Sequence, residues 1–178
     1  MEKAGAWKEI GKMEKNNVRM LVIASVFTAM ILLTVMFPFL RILNEYAHIG
    51  DGVIYLACVI LPAPYAILAA SAGAALADIF LGAMLPWAPM SLVIKGLMAY
   101  VMCRLAGGKE ASPWRIVLGL LLASFINVAG YFLGSWLVYG LGAAAAGIPL
   151  NLIQSAVAAA LYLALQKLVR RTAGKYVK

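Results

Sequence analysis

Two charged residues, Asp78 and Lys95, interrupt the almost wholly apolar stretch ADIFLGAMLPWAPMSLVIKG. A charge at membrane depth costs about 2.5–3.5 kcal/mol on insertion scales, so it faces a partner or a cavity rather than lipid. Two readings follow: the pair neutralise one another, or they orient a polar molecule in a pocket. Other apolar runs carry further polar groups. Asn127 and Tyr131 lie four apart, and Asn151 and Gln154 three apart, so each pair shares a helical face. Tyr46 and His48 precede Asp51, which is flanked by Gly50 and Gly52, and Trp87 opens the run that carries Lys95. A few amides and charges among aromatic walls suit noncovalent capture of a small heteroaromatic molecule.

Structural roles for the same residues stand beside that reading. Asn151 and Gln154 could be interhelical hydrogen-bond glue. Trp87, Tyr131 and the other aromatics could form an interfacial belt. Asp51 could cap a helix. His48 has no second ligand at a useful spacing, so no metal site is expected. No HExxH, GxSxG or paired catalytic carboxylates occur, which points away from an enzyme and from any catalytic residue or cofactor.

These residues need elements to hold them, and the composition says which. Of the 178 residues, 65% are hydrophobic and 12% charged, with a mean hydropathy of +0.93. Soluble domains carry about a quarter charged residues, so the chain reads as an all-α integral membrane protein. The net charge of +8 does not form a nucleic-acid-binding stripe. It clusters beside the apolar runs: Lys3, Lys8, Lys12, Lys15 and Arg19 before the first, Lys167, Arg170, Arg171, Lys175 and Lys178 after the last, and Arg104, Lys109 and Arg115 around one polar break. Cys58 and Cys103 fall inside apolar runs, as small buried residues do.

A spanning helix needs about 20 apolar residues. The pattern predicts six: Val18–Leu40; a short second helix over about Ile49–Leu61 after the polar loop RILNEYAHIGDG; Pro64–Ala83, begun after the helix-breaking LPAPY; Pro86–Ala106; Trp114–Gly140; and, after a loop GLGAAAAGIP, Ile148–Val169. Residues 1–17 form an N-terminal segment, 18–170 a single substrate-binding domain and 171–178 a basic tail. The first segment could be an interfacial helix presenting Trp7, Ile10 and Met13, or disordered. Placing both termini and the polar break in the cytoplasm puts thirteen of the fifteen basic residues there, as the positive-inside rule requires. With that orientation, Asp51, Asp78, Trp87, Lys95, Asn127, Tyr131, Asn151 and Gln154 all fall in the outer half of the membrane. Ala69, Gly73 and Ala77 on the third helix and Ser25 with Ala29 on the first make small-residue faces for close helix packing.

HIGDGVIYLA, ALADIFLG, WAPMSLVIKGL, GYFLG and IPLNLIQ, in this order, resemble the S components of energy-coupling factor (ECF) vitamin transporters, riboflavin-transporter-like branch. The resemblance covers about Ala47 to Ala160. It implies a six-helix protein of the prokaryotic plasma (inner) membrane that captures a pyridoxine-, hydroxymethylpyrimidine- or riboflavin-like vitamin or precursor on the outer side. The cargo is then delivered inward with a shared transmembrane coupling subunit and two ATPase subunits. The substrate pocket it implies is the first loop, here Tyr46 and His48, together with the eight outer-half residues named above. The small face on helix one that meets the coupling subunit would be Ser25 and Ala29, with adjacent Ala24. The chain itself has no GxxxxGK[ST] phosphate loop, and AGGKE is not one, so energy would have to come from such a partner. A small membrane enzyme, a channel or an assembly factor are the alternatives.

Overall fold

Prolines and glycines set most of the boundaries. In the computed structural model, residues 2–42, 45–82, 84–107 and 111–176 are described, of which 2–15, 41, 42, 45, 84–86 and 173–176 are described by their backbone alone. The elements are α1 (Glu2–Met36), β1 (Leu40–Ile42), β2 (Glu45–Ala47), α2 (Gly50–Ile60), α3 (Ala63–Phe80), α4 (Met84–Leu105), α5 (Pro113–Tyr139) and α6 (Leu141–Tyr176). α1 stops two residues before Pro38, since the residue preceding a proline is driven out of the helical region. Pro62 and Pro64 end α2 and open α3. Ser112 caps α5, its Oγ accepting from Arg115 N–H at 3.4 Å, with Pro113 at the first position where no N–H is needed.

Three boundaries differ from the sequence pattern, and α6 also runs past the expected end at Val169, through most of the expected tail, to Tyr176. Helix α1 continues back to Glu2; the expectation for Trp7, Ile10 and Met13 concerns side chains outside those described. The polar loop after α1 contains a hairpin, with Leu40, Arg41 and Ile42 opposite Ala47, Tyr46 and Glu45. The expected loop GLGAAAAGIP is helical from Leu141, because alanine-rich sequence favours helix. Only Gly140 breaks α5 from α6, at φ 85°, a backbone region that disfavours any residue with a Cβ.

Going round the bundle, α1 packs on α3, α3 on α4, α4 on α5 and α5 on α6. The short α2 fills the middle, touching α6, α1, α4 and α3, and is buried along Gly50–Cys58. That position suits a helix apolar on every side. Helix α3 meets α1 closely at Gly73, where a Cβ would lie 2.9 Å from Ile31 Cβ and from the Thr28 carbonyl oxygen; Ala69 and Ala77, one turn either side, are also buried. Gly130 and Gly134 of α5 give room to Ile94 and Met90 of α4.

The outward faces are lined by side chains such as Val22, Leu33, Leu68, Val93, Leu97, Leu121, Phe125, Leu137 and Leu163. Five helices among the described residues are long and apolar enough to cross a membrane. The protein is an all-α, multi-pass membrane protein. Its two ends differ in chemistry. At the end holding both termini, Arg170 Nη2 donates to the Ala106 carbonyl at 2.7 Å and to Tyr162 OH at 2.9 Å, and Arg115 Nη2 donates to the Arg104 carbonyl at 2.7 Å. The opposite end gathers the hairpin, the start of α2, α4 and α6, and the ends of α3 and α5.

Candidate functional site

Asp51 lies in the first turn of α2, fully buried, and reaches α4 and α6. Its Oδ1 is 2.7 Å from Lys95 Nζ, and its Oδ2 accepts from Gln154 Nε2 at 2.8 Å. The flanking glycines make this approach possible, since a Cβ on Gly52 would sit 2.6 Å from Leu161 Cδ2. Lys95 also donates to Asn127 Oδ1 at 2.8 Å, and Asn127 Nδ2 donates to Ser155 Oγ at 3.3 Å. Gln154 Oε1 accepts the His48 backbone N–H at 3.2 Å. One ion pair, two amides and a serine thus tie α2, α4, α5 and α6 together and hold the segment leading out of the hairpin.

Two sequence readings are corrected by this network. Lys95 pairs with Asp51, whereas Asp78 hydrogen-bonds elsewhere: α2 stands between α4 and α6 and brings its carboxylate to the amine. Nor does Asp51 cap its helix; the cap position is Ile49, with no side-chain bond.

Above Lys95 a recess opens, with an empty volume of about 420 Å³ counted out to its mouth. Tyr46 and His48 line it from the hairpin side, Ala74 and Asp78 from α3, and Trp87, Ser91 and Lys95 from α4. Tyr131 of α5, Asn151 and Gln154 of α6, and Val35 of α1 complete it. Trp87 and Tyr131 stand with ring centroids 6.0 Å apart, and Lys95 Nζ lies 4.9 Å from the Tyr131 centroid, within cation–π range. Ser91 Oγ and Tyr131 OH share a hydrogen bond of 2.7 Å. Tyr46 OH donates to Asp78 Oδ1 at 2.5 Å. The second oxygen, Asp78 Oδ2, is buried and makes no hydrogen bond of good geometry, although Ser91 stands within its electrostatic reach.

His48 Nδ1 accepts the Gly50 N–H at 3.1 Å, which leaves the ring proton on Nε2. Burial drives the His48 pKa down from 6.5 to about 4, opposed by Asp51 and assisted by Lys95. The imidazole is therefore neutral at ordinary pH. Among the described residues no group of three His, Cys, Asp or Glu side chains could hold a metal ion. The recess offers shape, aromatic faces and directed hydrogen bonds, the means of reversible capture.

The sequence matches the family model described as ECF-type riboflavin transporter, S component, over residues 15–171. The chain belongs to this family. Comparison with curated proteins gave no match. An S component is the substrate-binding subunit of a transporter rather than an enzyme, and a bundle with a polar recess suits that task.

In this S component, eight of the ten side chains expected at the site line the recess. Asp51 and Asn127 do not; they lie behind the floor, where they hold Lys95. Ser91, Ala74, Val35 and Ser155 were not anticipated. Ser91 precedes Lys95 by one helical turn and Ala74 precedes Asp78 by one, a spacing that marks them as co-facial. Val35 gives no such signal. On α1, Ser25 and Ala29 are exposed, and Ser25 Oγ bonds the Leu21 carbonyl of its own helix at 2.9 Å. Ala24 is instead buried in the core, about a quarter-turn round the helix, and takes no part in that outward face.

Proposed function

We propose that the chain captures a small heteroaromatic vitamin or vitamin precursor, pyridoxine-, hydroxymethylpyrimidine- or riboflavin-like, at the outer face of a cell membrane. It hands the molecule inward in association with a coupling subunit and two ATPases. The basic residues support the orientation: they crowd the end that holds both termini, and this end faces the cytoplasm by the positive-inside rule, leaving the recess open outward. Membership of the family supports the coupling partners, as does the lack of a GxxxxGK[ST] motif in the sequence. The exposed Ser25–Ala29 face of α1 is the contact proposed for them.

The observation that carries the reading is the recess itself, with Asp78, Ser91, Lys95, Asn151 and Gln154 among Tyr46, Trp87 and Tyr131. Trp87 and Tyr131, ring centroids 6.0 Å apart, stand beside these polar groups, a setting that supports a flat heteroaromatic ring of pyridoxine, hydroxymethylpyrimidine or riboflavin type. Calorimetric titration of the purified protein in nanodiscs with riboflavin, pyridoxine, hydroxymethylpyrimidine and other water-soluble vitamins is the test. A submicromolar ligand is expected. A whole panel binding no tighter than micromolar sinks the proposal, as does turnover of a ligand or ion flux by the isolated chain.

A further inference from the structure

The charges around the recess leave one group unanswered. Lys95, the cation on its floor, is engaged by Asp51 at 2.7 Å and by Asn127 at 2.8 Å. His48 is neutral, with its Nδ1 occupied by the Gly50 N–H. Tyr131 OH is shared with Ser91. Asp78 is different: it is 2% exposed, lines the cavity, takes one hydrogen bond from Tyr46 on Oδ1, and keeps Oδ2 without a hydrogen bond of good geometry. Lys95 acts on it through space, and the nearby Ser91 hydroxyl is shared with Tyr131. A buried carboxyl oxygen without a well-placed donor is costly, and a donor on a molecule in the recess would supply what is missing.

We infer that Asp78 determines specificity, selecting a single heteroaromatic ring whose edge presents N–H donors in an amidine-like arrangement, as a 4-aminopyrimidine does. This rests on the reading of the chain as a capture subunit and narrows its substrate class. The ring lies against Trp87 and Tyr131 while its amino group, and its ring nitrogen when protonated, donate to Asp78 Oδ2. Oδ1 retains a lone pair beyond the Tyr46 bond for a second donor. The arrangement discriminates against other vitamins by chemistry. A flavin's imide edge offers one donor between two carbonyls, so oxygen would face oxygen. A phosphorylated or carboxylate-bearing ring would bring its negative charge to a carboxyl, while Lys95 on the floor is held by Asp51.

The test compares 4-amino-5-hydroxymethyl-2-methylpyrimidine, its 4-oxo analogue and riboflavin, each titrated into the full chain in nanodiscs. Removing donors that meet a carboxylate is expected to weaken binding about tenfold to a hundredfold, so the amino compound leads the oxo compound by that factor. In Asp78→Asn the two should converge to within about threefold, because an amide can serve either edge. Equal affinities in the unaltered protein, or tighter binding of the oxo compound or riboflavin, overturns this inference while leaving vitamin capture in place. Persistence of the ratio in Asp78→Asn removes Asp78 from the role. If neither these three nor the wider vitamin panel binds, the capture reading itself falls. The amino–oxo comparison needs no variant, so a misfolded Asp78→Asn protein would still leave a decisive result.

Discussion

Along the seam between α1 and α3 the helices meet through missing side chains. Along the seam joining α2, α4 and α6 they meet through an ion pair and an amide. The first has Gly73 against Ile31 and the Thr28 carbonyl, with Ala69 and Ala77 buried a turn either side of it. The second has Asp51, Lys95 and Gln154, each answering another. A small-residue seam tolerates no added volume yet asks for no particular partner. An ionic seam demands a specific partner, because either member left alone is a buried charge. The first sets how closely helices stand; the second sets where one atom, Lys95 Nζ, is placed beneath the recess.

Breaking the ion pair should have the largest effect. Asp51→Asn or Lys95→Met is expected to cost about 3–5 kcal/mol, read as a large fall in melting temperature in detergent, with ligand binding lost. The double variant Asp51→Leu/Lys95→Met should recover much of the stability but none of the binding. Recovery of both would show that the pair serves packing alone.

Acid probes the same seam more gently. His48 has its pKa lowered from 6.5 to about 4 by burial, next to Asp51 and Lys95. Below pH 6.5 the unfolded chain takes up a proton that the folded chain refuses. Stability present above that pH is thus lost on descending toward 4, at about 1.4 kcal/mol per pH unit at most. Melting temperature against pH should show this fall, and His48→Gln should flatten it; an unchanged slope in the variant would assign the loss to other groups.

The apolar seam makes the contrasting prediction. Gly73→Ala pushes a methyl against Ile31 Cβ and a backbone oxygen, neither the flexible end of a side chain, and should cost about 1–3 kcal/mol. The fraction that folds should bind ligand with unaltered affinity. A change in affinity would abolish the distinction between the seams. The smallest effect is expected from Ser91→Ala, which removes the bond to Tyr131 OH and should weaken binding by about 0.5–1.5 kcal/mol with little change in melting. Affinity equal to that of the unaltered protein would leave the Tyr131 hydroxyl without a role in orienting ligand.

Much of this was legible in the sequence because membrane helices make polar residues conspicuous. Asp78, Lys95, Asn127 and Gln154 stand out in apolar runs, and their places along alternating spans put them at one level. Which of them touch was not legible. Periodicity gives the face of a single helix, not which helix lies opposite, so the central position of α2 and hence the Asp51–Lys95 pair escaped. The hairpin was hidden because its strands have three residues each, too few for alternation to show. The start of α6 was misplaced because glycine and alanine together read as loop, although only Gly140 adopts a conformation that ends a helix.

Lys95 belongs to both the floor of the recess and the clamp between helices, and this constrains how such a protein can acquire a new cargo. Exchanges at Trp87, Ser91 or Tyr131 reshape the walls without loosening the frame. An exchange at the floor puts insertion and assembly at risk at once. Descendants of this chain that carry different molecules should differ at the rim and agree at the base.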